Sequence, residues 1–148
     1  QVITATAAHA EYLQGRLRAG DHLEITCLGI SPVEALRASL VGSIFARTGL
    51  VDGRVAAMWG CGGSPLGGVG EPWLLTTAEV ERIPLRMVKT ARAETMEMLG
   101  VFPVLANFVA AEYRQACRML ELIGFRLGEP FPLWPQRAMF REFRMERG

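Results

Sequence analysis

Cys61, one of three cysteines and so nucleophilic by type, stands inside Gly60-Cys61-Gly62-Gly63-Ser64-Pro65-Leu66-Gly67-Gly68-Val69-Gly70. That stretch could present a thiol on a loop or cradle a phosphate with backbone amides. Each chemistry needs a second part. A thiolate needs an activating base, and the only histidines, His9 and His22, are far away in sequence. A phosphate cradle should open a helix, whereas the strand-like Pro72-Trp73-Leu74-Leu75-Thr76 follows here. The stretch therefore reads as a flexible loop between strands, with Cys61 an ordinary free thiol. Glu71 and His22 could act as bases toward an amine, but each stands alone, as solvated side chains do. Three widely spaced cysteines with no C-x-x-C pair, and no H-x-x-x-H, give neither a disulfide framework nor a metal shell. No catalytic, cofactor-binding or metal-ligating residue is assigned.

The elements that would position any site follow from periodicity. Val2 to Ala5 is β-prone, and Ala10, Leu13 and Leu17 then recur at helical spacing. Ser31-Pro32-Val33-Glu34 combines a capping hydroxyl, Pro at the first helical position and a Glu able to reach back to the cap; Val33, Leu36, Leu40 and Ile44 form the stripe of that helix. Asp52-Gly53 between apolar runs predicts a β-hairpin. A strand fits Pro72 to Thr76, and Thr76 with Glu79 reads as a second capping box. Pro84 opens a long helix with Leu85, Val88, Met96 and Leu99 on one face, ending at Gly100. Val104 to Ala110 is a strand. Ala116, Met119, Leu120 and Ile123 stripe the last helix, which Gly124 stops, and Phe140 to Met145 closes the sheet. The order β-α-α-β-β-β-α-β-α-β predicts one α/β (α+β) domain over residues 1–148, a mixed, largely antiparallel sheet flanked by helices.

Composition narrows the class. With 50% hydrophobic and 21% charged residues the chain is globular, not disordered. A net charge of +1 from 16 basic and 15 acidic side chains gives no field to steer nucleic acid or an anionic membrane. Arg137, Arg141, Arg144 and Arg147 alternate with Glu142 and Glu146, the mixture of a solvated face. The free cysteines suggest a reducing cytoplasm. Neither a signal peptide nor a spanning segment is expected.

The element order resembles the GNAT (acetyltransferase) fold, and Ala116-Cys117-Arg118-Met119-Leu120-Glu121-Leu122-Ile123-Gly124-Phe125 is similar to that family's A-x-x-x-Y-E-x-x-G-F segment. Ser31-Pro32-Val33-Glu34-Ala35-Leu36-Arg37, Asp52-Gly53-Arg54, Glu71-Pro72-Trp73-Leu74-Leu75, Asn107-Phe108-Val109 and Ile123-Gly124-Phe125 resemble, more closely, GNAT-like internal virion or morphogenesis proteins of short-tailed phages. The GNAT resemblance implies acyl transfer from acetyl-CoA, with a Gly-rich turn after the fourth strand receiving the pyrophosphate and a tyrosine before the Gly-Phe protonating the leaving thiolate. Here the turn is Thr76-Thr77-Ala78-Glu79-Val80-Glu81-Arg82-Ile83-Pro84, without glycine and with two carboxylates, which Arg82 and Arg86 could offset only in part. Leu120 holds the tyrosine's position, and Tyr113 reads as a packing residue.

The expectation is accordingly a non-catalytic structural or morphogenesis component of a phage virion, with no cofactor. Other virion proteins are its expected partners, self-association is allowed, and nucleic acid and membrane are excluded. It would be found in the virion, and in the host cytoplasm during assembly. The alternative is an acetyl-CoA-dependent N-acyltransferase with a degenerate cofactor loop. Phe131-Pro132-Leu133-Trp134-Pro135 predicts a loop stiffened by prolines, whose Phe131, Leu133 and Trp134 either cover the domain's own sheet edge or anchor a partner.

Overall fold

Asp52 and Gly53 take φ angles of 50° and 76°, the positive values that a tight two-residue turn requires. They join β2 (Ser43–Val51) to β3 (Arg54–Ser64) as an antiparallel pair. Around this hairpin, the computed structural model describes residues 1–27, 31–133 and 136–148. Before it come β1 (Val2–Thr4), α1 (Ala7–Gln14), α2 (Ala19–Cys27) and α3 (Pro32–Gly42). After it come β4 (Val69–Thr76), α4 (Pro84–Val101), β5 (Val104–Ala110), α5 (Arg114–Ile123), β6 (Arg126–Leu127), β7 (Phe131–Leu133) and β8 (Ala138–Glu146). The strands form one sheet in the order β1-β2-β3-β4-β5-β8-β6, with β7 also on β8. Among the described residues only β4 and β5 run parallel.

The helices cover both faces. Val80, Met98 and Leu99 from the α4 side and Cys117 and Leu120 from α5 close one core around Phe102, Leu105 and Cys61, which are wholly buried. On the opposite face Leu13 of α1 and Leu36 of α3 pack on Val55 and Met58. Burying one such leucine stabilises the fold by about 1.5–3 kcal/mol. A bulge at Ala56, where Gly49 pairs with Ala57 and Leu50 with Val55, interrupts the alternation of β3, so that the neighbours Ala56 and Ala57 both enter the first core while Val55 and Met58 on either side enter the second.

Local signals decide several boundaries. Ser31 caps α3 with the reciprocal Glu34 bond, as the sequence predicts, and Thr6 with His9 makes a second box at α1. Gly124 (φ 122°) stops α5. Other expectations are corrected. The short 3-10 helix Ala78–Arg82 is capped by Thr77, because Thr76 is engaged elsewhere. Ile44 belongs to β2 instead of the α3 stripe. Val33, Ile44, Leu85 and Met96 are all exposed. The stretch from Gly60 to Gly70 is no loop. It is the end of β3, a 3-10 turn at Pro65–Gly67 and the start of β4, and its glycines let Trp73 and Phe102 lie against the backbone. The α2, β6 and β7 elements were not foreseen.

Candidate functional site

In a parallel sheet two neighbouring strands normally share a continuous ladder. Here β4 and β5 pair only at Val69 with Val104 and Gly70 with Leu105. The next residue of β4 that faces β5, Pro72, has no amide to donate. Its carbonyl is met by Asn107 Nδ2 at 3.0 Å, while Asn107 Oδ1 accepts from the Phe108 amide at 2.9 Å. One side chain thus bridges the opening where the ladder stops.

Further along, α2 lies across the same opening. The Arg18 amide donates to the Thr76 carbonyl at 3.0 Å. Thr76 returns its amide to Asp21 Oδ2 at 2.9 Å, and its hydroxyl also donates to Asp21. The Ala110 amide, at the end of β5, donates to Glu24 Oε1 at 2.7 Å. Arg18 ties the cluster together, with Nε donating to Thr76 Oγ1 and Nη2 to Tyr113 Oη, both at 2.8 Å. Gly20 lies so close to the Tyr113 ring that a Cβ would overlap it. The far ends of β4 and β5 are therefore bound by acidic side chains of the chain's own helix.

The electrostatics follow from burial. Desolvation raises the Asp21 carboxyl above its ordinary range, with the Thr76 bonds and Arg18 opposing. Glu24 is pushed up to about 7, again chiefly by burial, with the Ala110 bond opposing and the Asp21 charge adding. Burial and Asp21 push Tyr113 to about 12, so it remains a neutral phenol. Asp21 and Tyr113 thus share one cation, Arg18, and Glu24 lies beside Asp21. None of Arg18, Asp21 and Glu24 stands out in the sequence. Three-residue spacing puts Asp21 and Glu24 on one face of α2, with Arg18 just before its first residue, in a segment whose only buried apolar side chain is Ile25. A polar face of that kind is usually assigned to solvent.

The residues singled out from sequence are not brought together. Cys61 is fully buried within β3 and its thiol is pushed up to about 11 by burial, which removes it as a nucleophile. Glu71 and His22 are exposed and lie on separate elements. Leu120 is in the core beneath the sheet, and Tyr113 caps α5 beside Arg18. Phe131 and Leu133 lie in β7, paired with Phe140 and Ala138 of β8, so the expected loop is an edge strand. Phe131 makes an edge-to-face contact with Phe108 at 5.6 Å. Trp134 lies outside the described residues.

Acetyl-CoA, which the GNAT resemblance implies, fits this arrangement poorly. The amides of Thr76, Phe108 and Ala110 already have partners. At the start of α4, where a pyrophosphate would meet backbone amides, the 3-10 helix Ala78–Arg82 fills the turn and Pro84 supplies no donor. Arg82 is paired with Glu79 and Asp52 at 3.1 Å each, leaving Arg86 exposed in the first turn of α4.

Solved structures share the architecture. The chain superposes on a ribosomal-protein-alanine N-acetyltransferase from Brucella melitensis with a TM-score of 0.72 at 12% identity, covering 99% of each chain. A GNAT-family acetyltransferase from Bacillus anthracis gives 0.72 at 10% identity, over 98% of this chain and 93% of that one. A phosphinothricin acetyltransferase from Sinorhizobium meliloti, solved with acetyl-CoA, gives 0.64 at 14% identity, over 100% and 88%. The fold is that of the GNAT acetyltransferases. No protein-family model and no curated protein sequence matches the chain.

Proposed function

We propose that this GNAT-fold domain does not carry out acyl transfer and serves as a structural or morphogenesis protein of a short-tailed phage particle. The observation that carries the non-catalytic part is the bridged opening between β4 and β5, whose backbone amides are bonded by Asn107, Asp21 and Glu24. The glycine-free turn before Pro84 and Leu120 at the proton donor's position agree with it. A positioned general acid contributes roughly 10²–10⁴-fold in rate. The phage assignment rests on the resemblance of the five segments named above. Phe131 and Leu133, with the half-exposed Phe108 beside them, are the proposed contact to another virion subunit, together with Trp134.

A second reading, an acetyl-CoA-dependent N-acyltransferase, is favoured by the solved structures, which are acetyltransferases by name and match nearly the whole chain. Millimolar acetyl-CoA separates the two. A ligand at about 100-fold above its Kd adds roughly 2.7 kcal/mol to stability, which at this size raises Tm by about 5–10 °C. We expect no shift, and no acylated amine product. A shift of that size establishes the second reading. Leu120→Tyr should likewise gain no activity, since the phosphate-binding turn is also missing. Mass spectrometry of purified phage particles tests the virion assignment directly, and absence of the chain from them refutes it.

A further inference from the structure

α2 is bound to the sheet in an unusual way. Most helices that cover a sheet do so through an apolar stripe. This one fully buries a single apolar side chain, Ile25, lays Gly20 on the Tyr113 ring and Cys27 against Phe140, and holds the opening through three polar contacts, from Asp21, Glu24 and the adjoining Arg18. Two of those three contacts place a carboxyl group in a desolvated site, where its charged form is disfavoured. The attachment is therefore polar, local and sensitive to charge.

We propose that α2 is a releasable plug, docked between the ends of β4 and β5 through Arg18, Asp21 and Glu24, and that ionisation of its buried carboxyls drives its undocking. Release would uncover the amides of Thr76 and Ala110. A neutral carboxyl keeps a carbonyl oxygen able to accept from Ala110, so protonation preserves the bond while removing the desolvated charge.

The direction with pH follows from the surroundings. Glu24 faces Asp21 from its own helix, and Tyr113 and Cys117 from the α5 side, with Arg18 beside Asp21 and 4.0 Å from Glu81, and Arg141 beside Cys117. Tyr113 and Cys117 are both raised above their ordinary values, so both stay neutral. Arg18 is a constant cation that favours ionised Asp21, but burial outweighs it. Docked Glu24 holds its proton to about pH 7, whereas a released carboxyl gives it up near 4.5. A raised docked value means that docking is strongest below about 4.5 and weakens up to about 7, roughly tenfold per pH unit within that window. Asp21 contributes with the same sign. This is the reverse of an acid-labile salt bridge.

Cys27, at the end of α2, packs against Ala110, Tyr113 and Phe140 and reports release. Its maleimide labelling rate, followed by peptide mass and divided by the rate of the denatured chain at the same pH, should rise at least about tenfold between pH 5 and pH 8. Protection of the Ala110 amide from exchange should fall over the same interval. Glu24→Gln with Asp21→Asn should hold Cys27 protected throughout. A pH-independent ratio in the wild type, or a rise that persists in the double variant, overturns the proposal. If the double variant does not fold, the wild-type labelling and the Ala110 protection decide. None of these readouts depends on whether the chain binds acetyl-CoA, so the proposal can fail independently of the function assigned above.

Discussion

Phe102→Ala is expected to lower stability by about 3–5 kcal/mol, the usual cost of truncating a wholly buried phenylalanine. The residue caps α4 and is completely enclosed among the largest core side chains, so the cavity has little chance to collapse. A domain of this size has a total stability of about 5–15 kcal/mol, and a loss of this order should lower Tm by roughly 10 °C or more. Thermal or urea unfolding measures it. A loss below about 1 kcal/mol would mean that Phe102 is not in the core as described.

Gly70→Ala should fail for the complementary reason, too much volume at the same place. An added Cβ would lie 2.5 Å from the Phe102 ring and 2.8 Å from Cys61 Sγ, and neither side chain is exposed at all. Overpacking of this kind costs about 1–3 kcal/mol. Gly70 is also one of two residues through which β4 pairs with β5, so the backbone shift would fall on the weakest seam of the sheet. Combining Gly70→Ala with Phe102→Leu in a double-mutant cycle should show favourable coupling of roughly 0.5–3 kcal/mol, because the smaller side chain yields the space. Strictly additive losses would show that the two positions do not touch.

Where a local interaction determines conformation, the sequence was readable. Asp52-Gly53, the Ser31-Glu34 capping box and the stop at Gly124 act within a few residues of themselves, and all three are present. The order of elements was sufficient to place the chain among GNAT folds. What was missed depends on partners distant in the chain. Asp21 and Glu24 look like solvent-facing groups until β4 and β5 provide the amides they accept from. Leu85 and Met96 share a helical face with Leu99, yet of the three only Leu99 is buried, beside Thr95 and Met98. The glycines from 60 to 70 suggest a flexible loop, but here they leave room for two aromatic rings. Pro132 hid β7, which as a three-residue edge strand tolerates a missing donor.

The two-residue seam between β4 and β5 also bears on how the chain assembles. Everything on one side of it, β1 to β4 with α1 to α3, comes from residues before Ile83, and everything on the other side follows it. The first group contains the β2-β3-β4 meander, which can form from neighbouring segments alone. The second is built on β8 pairing with β5, β6 and β7. The sheet thus consists of two sequence-contiguous halves, each with its own internal ladders, docked through α4's core contacts and a row of side chains. Such an arrangement is expected to open as two foldons, and a backbone cut near Ile83 would leave two fragments that carry, between them, the ladders of both halves.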